Sequence, residues 1–165
     1  MNEQPRRPLG PQPWETVRTK LDQSLPFANM RGTPYLMRRR IIRGPTGLPC
    51  TPPPFGALVA VNLSTGGIAW NVALGTMGGF PGSLNLGGPI VTAGGIVFIG
   101  ATLEHAFRAF DVETGRELWK ADLPAGARAT PMTYEAGGRQ FVVIAAGGGG
   151  PFGAGDAIIA FALPK

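Results

Sequence analysis

An all-β chain built from the repeating blades of a β-propeller is the fold class this sequence predicts, on three observations. A phrase recurs: "LVAVNLSTGGIAW" at 58–70 returns as "FRAFDVETGRELW" at 107–119. Residues 56–165 carry 22 of the 26 glycines, which tells against helices, where an interior glycine costs about 1 kcal/mol relative to alanine. Short apolar runs separated by glycine pairs then read as hairpins, the glycines supplying the positive φ that tight turns require.

The elements follow in order. Residues 1–30 show no sustained period, with at most a short helix around Trp14–Leu25. "MRRRIIR" (37–43) reads as a solvated loop or edge with surface arginines rather than an RNA or lipid contact. The three consecutive prolines of "LPCTPPPFG" (48–56) exclude a helix and make an extended entry into the body. Then come hairpins: "PIVTA" (89–93) with "IVFIGA" (96–101), "AFRAFDV" (106–112) with "RELWKADL" (116–123), and "TPMTYEA" (130–136) with "QFVVIAA" (140–146). A last run, "AIIAFAL" (157–163), follows.

The repeat has a fixed offset of 49. Ala57, Ala60, Thr65, Gly66 and Trp70 fall on Ala106, Ala109, Thr114, Gly115 and Trp119. A third copy begins at Ala157-Ile158-Ile159-Ala160-Phe161 and stops before its Thr-Gly or Trp. Four-stranded units recurring every 40–50 residues are propeller blades or a related array. Slightly more than two of them cannot close a ring, so the expectation is a piece of something larger.

Charge divides the chain in two. Residues 1–55 hold 9 Lys+Arg against 3 Asp+Glu, and residues 56–165 hold 6 against 7, which together give the net +5. The basic excess therefore belongs to an irregular, Pro-rich lead-in (1–45, for which disorder is an option) and not to the body (46–165), which excludes a nucleic-acid binder built on the whole chain. Cys50 is the only cysteine, so no internal disulfide or multi-cysteine metal site exists. No apolar h-region follows the first charges. Asn71–Leu103 is free of charge, but its glycines and prolines exclude a membrane-spanning helix.

Two tempting motifs fail. Asp111 occupies the position of Asn62 in the other copy, and an amide cannot serve as a base, so both read as side chains bonding a turn backbone. "GGGGPFG" (147–153) satisfies G-x-G-x-x-G, but only 12 residues follow, they are strand-like, and Pro151 interrupts the motif. His105, the only histidine, builds no triad or zinc cluster and reads as a surface residue.

The repeat resembles the tryptophan-docking repeat of pyrroloquinoline quinone (PQQ) dehydrogenases. The likeness is closest to the glucose-dehydrogenase-like branch and runs from about residue 45 to 165. It is carried by "GLPCTPPPFGALVAVNLSTGGIAW" (47–70), "NLGGPIVTAGGIVFIGAT" (85–102), "FRAFDVETGRELWKADLPAGARATPMTY" (107–134), "GRQFVVIAAGGGG" (138–150) and "GDAIIAFALP" (155–164). The resemblance implies the last two blades and closing strand of an eight-bladed propeller. It implies PQQ with Ca²⁺ or Mg²⁺ on the axis, with the metal ligands and the catalytic aspartate in blades this chain lacks.

By the same resemblance, Asn85, Leu86 and Gly87 approach the cofactor, while a tight strand entry is the plain alternative. Glu104 falls where membrane-bound glucose dehydrogenases have an aspartate near the cofactor. Gly149 falls where many have the histidine of "GGHG", and the loop before Asp156 is about two residues short. Trp70 and Trp119 are structural, each packing between neighbouring blades. The implied function is oxidation of a sugar or alcohol by hydride transfer to the quinone. Its implied partners are the remaining blades and a quinone or cytochrome acceptor, in the periplasm, with any membrane anchor in an absent N-terminal region. The isolated chain is expected to be inactive. The competing reading is a non-catalytic propeller scaffold for protein assembly.

Overall fold

A computed structural model describes residues 27–29, 32, 35–38 and 42–164. The chain divides into two compact units, Met1–Gly47 and Leu48–Lys165. In the first, β1 (Phe27–Asn29) pairs antiparallel with β2 (Leu36–Arg38). The expected helix at Trp14–Leu25 lies outside the described residues.

Apart from one short 3₁₀ turn, the regular structure of the second unit's described residues is all strand. β3 (Ala57–Val61) and β4 (Ile68–Ala73) form one hairpin, and β5 (Thr76–Met77) and β6 (Phe80–Pro81) a small one after it. β7 (Ile90–Val91), β8 (Ile96–Ile99), β9 (Ala106–Asp111) and β10 (Glu117–Asp122) make an antiparallel four-stranded sheet in the order β10-β9-β8-β7. β11 (Met132–Ala136), β12 (Arg139–Gly147) and β13 (Asp156–Phe161) form a third sheet in chain order. The hairpins read from the sequence are all present.

The strands are shared out differently from two blades plus one strand. β3–β4 is the counterpart of β9–β10, the outer half of a blade. β13, the third copy of the phrase, pairs with β12 as β9 pairs with β8. Among the described residues there is one complete four-stranded blade, flanked by half of one and three strands of another.

The repeat is a repeat of geometry. In β3–β4, Val61 faces Ile68 and Ala60 faces Trp70; in β9–β10, Phe110 faces Glu117 and Ala109 faces Trp119. Each tryptophan follows the same register shift, which leaves Ala69 and Leu118 as the extra residues of a β-bulge. The turns match as well. Asn62 Oδ1 accepts from the amides of Ser64 (2.9 Å) and Thr65 (3.2 Å), and Asp111 Oδ1 from those of Glu113 (3.1 Å) and Thr114 (2.8 Å). Gly66 and Gly115 close the two turns at φ 72° and 71°, the left-handed region that favours glycine.

β9 is buried on both faces, and its alternate residues serve two cores. Phe110 joins Leu58, Leu74, Val97, Ile99 and Ala101, with Trp70 and Val72 against them. Phe107 joins Leu123, Ala127, Ile144 and Ala146, with Phe98 and Phe161 against them. The complete blade is thus packed on one side against β3–β4 and on the other against β12–β13. Each fully buried phenylalanine contributes roughly 1.5–3 kcal/mol through apolar burial.

Candidate functional site

Four of the residues expected near a cofactor, Asn85, Leu86, Gly87 and Glu104, lie in the loops at one end of the complete blade, while Gly149 lies between β12 and β13. The segment 83–89 leads into β7, and the loop 100–105 joins β8 to β9. They are stitched together by backbone and side-chain bonds. The amide of Leu86 donates to the carbonyl of Ala101 (2.8 Å), and that of Leu103 to Ser83 Oγ (3.0 Å). The amide of Ala101 donates in turn to Ala127 O (2.6 Å), which ties in the loop after β10.

Asn85 packs against Gly56, where an added Cβ would stand 2.5 Å from its Nδ2. Its Oδ1 is buried and has no hydrogen-bond partner, the only such side-chain atom among the described residues. A buried acceptor left unmade costs about 1–3 kcal/mol, so this atom marks a place where the local structure asks for a donor. Leu86, next in sequence, is 51 % exposed. Gly87 is also exposed, and its φ is 144°. A Cβ there would come 3.0 Å from Arg128 O, so the backbone of the 126–130 loop holds position 87 to glycine.

Glu104 is placed differently from the first three. Its Oε1 accepts from Thr76 Oγ1 (2.6 Å), and its Oε2 is paired with Arg108 Nη2. Arg108 is itself 3 % exposed; its Nη1 donates to Thr102 Oγ1 (3.2 Å) and its Nε faces Glu117 Oε2 at 3.2 Å. Burial raises the Glu104 pKa, but the Thr76 hydrogen bond, the charge and hydrogen bond of Arg108 and the charge of Lys120 outweigh it, so the carboxyl titrates below its ordinary value. The carboxylate thus caps a buried arginine.

Gly149 opens the short 3₁₀ turn Gly150–Phe152 at φ 90°, and its amide donates to Gly153 O (2.8 Å). A Cβ added at 149 would meet nothing within 4 Å. The Gly-rich loop leads into the strand β13, with no helix after it. His105 is exposed, its ring lying beside Gly153.

The two repeat tryptophans make different contacts. Trp70 Nε1 donates to Val112 O (2.8 Å), and its ring covers Gly115 so closely that a Cβ there would stand 2.7 Å from it. Trp119 packs edge-on against Phe107 and Phe161, with centroids 6.0 and 5.1 Å away. Phe161 lies 49 residues beyond Val112, the offset of the repeat.

Two arginines that the sequence reading passed over sit where loops meet. Arg108 had a signal: it is the one charge inside the apolar run "AFRAF". Arg128 had none, because its neighbours Gly87, Gly148 and Phe152 are all distant in sequence.

Residues 3–142 match the family described as "PQQ: Glucose/ethanol/alcohol dehydrogenase, beta-propeller domain". The chain belongs to this family of PQQ dehydrogenases. The match begins well before residue 45, where the quoted motifs start. The chain is 44 % identical over 151 residues to quinoprotein glucose dehydrogenase A of Acinetobacter calcoaceticus, covering 82 % of this chain and 18 % of that protein. It is 40 % identical over 164 residues to the quinate/shikimate dehydrogenase (quinone) of Acinetobacter baylyi, covering 88 % and 20 %. The quinohemoprotein alcohol dehydrogenase of Comamonas testosteroni superposes with a TM-score of 0.49 at 32 % identity, over 62 % of this chain and 14 % of that one. The chain therefore spans about a fifth of the length of these curated relatives of the PQQ family.

The segment 85–87 of this PQQ-family chain fits a flat, polar-edged group. Leu86 presents apolar surface, Gly87 adds no side chain, and Asn85 holds an acceptor without a donor. No group of three or more His, Cys, Asp or Glu suited to a metal occurs among the described residues. No helix of the described residues is long and apolar enough to cross a membrane.

Proposed function

We propose that this chain forms part of a PQQ-dependent dehydrogenase that oxidises a sugar or alcohol, with Asn85, Leu86 and Gly87 contributing one wall of the cofactor site. The observation that carries the reading is the unpartnered, buried Oδ1 of Asn85 beside the exposed Leu86. When bound, PQQ supplies the two-electron acceptor for the hydride leaving the alcohol carbon. Asn85 would accept a hydrogen bond from the group's edge, and Leu86 would shield its face from water. Glu104 stands one shell back, held by Arg108 and Thr76, and supports the loop. The catalytic base, the Ca²⁺ or Mg²⁺ ligands and the remaining cofactor contacts belong to other blades, so the 165 residues alone turn over no substrate.

In this reading residues 46–165 are the propeller part and 1–45 a lead-in to it. The remaining blades are its structural partners, a quinone or cytochrome takes the electrons, and the site of action is the periplasm.

The test is PQQ titration of the complete protein that carries this chain. Asn85→Ala and Leu86→Asp should each weaken PQQ binding by about tenfold or more while leaving the far-UV spectrum unchanged. Undiminished PQQ affinity in both variants would remove 85–87 from the cofactor site.

A further inference from the structure

Sixteen glycines among the described residues take a positive φ, and one residue that is not glycine joins them: Ala101, at φ 66°. A left-handed backbone is sterically costly for a residue with a side chain, and it persists only where the surroundings over-determine it. Three fixings hold Ala101. Its amide donates to Ala127 O (2.6 Å), and its carbonyl accepts from the Leu86 amide (2.8 Å). Its methyl, 1 % exposed, lies in the core with Leu74, Ile99 and Phe110. A Cβ at Gly87 would stand 3.3 Å from that methyl. Ala101 therefore meets Leu86 through its carbonyl and faces Gly87 with its side chain.

The next residue supplies the brace. Thr102 is fully buried, and its hydroxyl is bonded twice: it accepts from Arg108 Nη1 (3.2 Å) and donates to the carbonyl of Glu104 (3.0 Å). Arg108 is a fixed donor, because Glu104 and Glu117 hold its other nitrogens. Its place is set by β9 and β10, which carry Arg108 and Glu117. The amide of Thr102 donates back to Gly100 O (2.9 Å), which closes a bend around Ala101. One residue on, the Leu103 amide donates to Oγ of the buried Ser83 (3.0 Å). Asn85, with its unpartnered Oδ1, thus lies between two pins, one at Ser83 and one at Leu86. The Thr102 methyl points elsewhere, to Gly75, where an added Cβ would stand 2.7 Å from it.

We infer that Thr102 is a positioning residue for the 85–87 segment. Its hydroxyl couples Arg108, anchored in the sheet, to the left-handed bend at Ala101, and so sets where Leu86 and Gly87 stand. The inference rests on the proposed function in so far as that segment is a wall of the cofactor site.

The two halves of the threonine side chain can be removed one at a time. Thr102→Val keeps the shape and loses the hydroxyl; Thr102→Ser keeps the hydroxyl and loses the methyl. Hydrogen exchange and PQQ titration are read on both variants of the complete protein that carries this chain. Thr102→Val should speed exchange of the Leu86 amide about tenfold relative to the amides of β8 and β9, and weaken PQQ by about tenfold. Thr102→Ser should leave both within about twofold of the parent. A threonine kept for packing gives the opposite order, because the lost methyl leaves a cavity, and that result overturns the inference. So does unchanged exchange at Leu86 in Thr102→Val, or exchange that rises equally across β8 and β9. Leu86→Asp separates this failure from that of the proposed function. If Leu86→Asp weakens PQQ and Thr102→Val does not, the wall stands and the inference falls. If Leu86→Asp holds PQQ as the parent does, 85–87 leaves the cofactor site, while exchange at Leu86 still decides whether Thr102 positions the segment.

Discussion

Trp70 donates its indole N–H to the carbonyl of Val112, 42 residues further along, and lays its ring over the glycine that closes the second turn. This contact fastens one copy of the repeat to the next. It also explains why the Thr-Gly pair and the tryptophan travel together: the turn of one copy is the seat for the indole of the other.

Gly66 and Gly115 provide a matched test of that seat. Both have φ near 70°, so alanine at either strains the backbone by about 1–2 kcal/mol. A Cβ at 66 meets nothing within 4 Å, whereas one at 115 stands 2.7 Å from the Trp70 ring. Gly115→Ala should therefore destabilise more than Gly66→Ala, by about a further 1–3 kcal/mol. Urea unfolding of the two variants measures the difference, and equal losses would mean that the indole does not seat there.

Asp111 illustrates how far a sequence alone can be read. Its equivalence to Asn62 was enough to make it a turn residue, because two copies of one local geometry can be compared position by position. Asp111→Asn should leave the fold intact at neutral pH, since the amide oxygen accepts the same bonds Asn62 accepts. The aspartate differs in also accepting from the Thr114 hydroxyl (2.8 Å) and in its titration. The Thr114 hydroxyl and amide bonds hold its pKa below the ordinary 3.8. Its contribution is complete above that value and is lost as pH falls through the lower folded pKa. Asp111→Asn should remove this part of the acid destabilisation, and acid unfolding of the two proteins is the measurement.

The buried pair Arg108–Glu104 lay beyond such reading. Nothing in "LEHAFRAF" states that Thr102, Glu104 and Glu117 will converge on one guanidinium, or that Thr76 will hold Glu104, because convergence depends on how β8, β9 and β10 align. Local periodicity reports which strands exist and which glycines turn. It does not report which loops meet at the end of a sheet, and the surroundings of both Arg108 and Arg128 come from such meetings.

Arg108→Met should cost about 3–5 kcal/mol if the vacated carboxylates were fully buried, and less here because Glu104 and Glu117 are 27 % and 44 % exposed. Glu104→Gln should cost less still, since Arg108 keeps Glu117 and Thr102. The pH dependence separates the two. The Glu104 pKa lies below its ordinary 4.5, so its stabilising contribution is complete above 4.5 and fades as pH falls through the folded value. Glu104→Gln should flatten the stability–pH curve in that acid window, and a curve unchanged from the parent would show that the pair does not contribute.

Asn85 sets stability against binding. Its buried Oδ1 has no partner, and replacing an unsatisfied polar group by an apolar one of similar shape is neutral or stabilising. Asn85→Leu should therefore hold or raise the unfolding free energy of the unliganded protein, by up to about 1 kcal/mol, while weakening PQQ. A residue kept only for packing behaves the other way, losing stability on substitution and leaving ligand affinity untouched. Thermal unfolding with and without PQQ reads both quantities from one sample: the cofactor-dependent rise in midpoint should shrink in Asn85→Leu while the unliganded midpoint stays or climbs. A fall in the unliganded midpoint with an undiminished rise on adding PQQ would return Asn85 to the framework and leave Leu86 and Gly87 to account for that wall of the site.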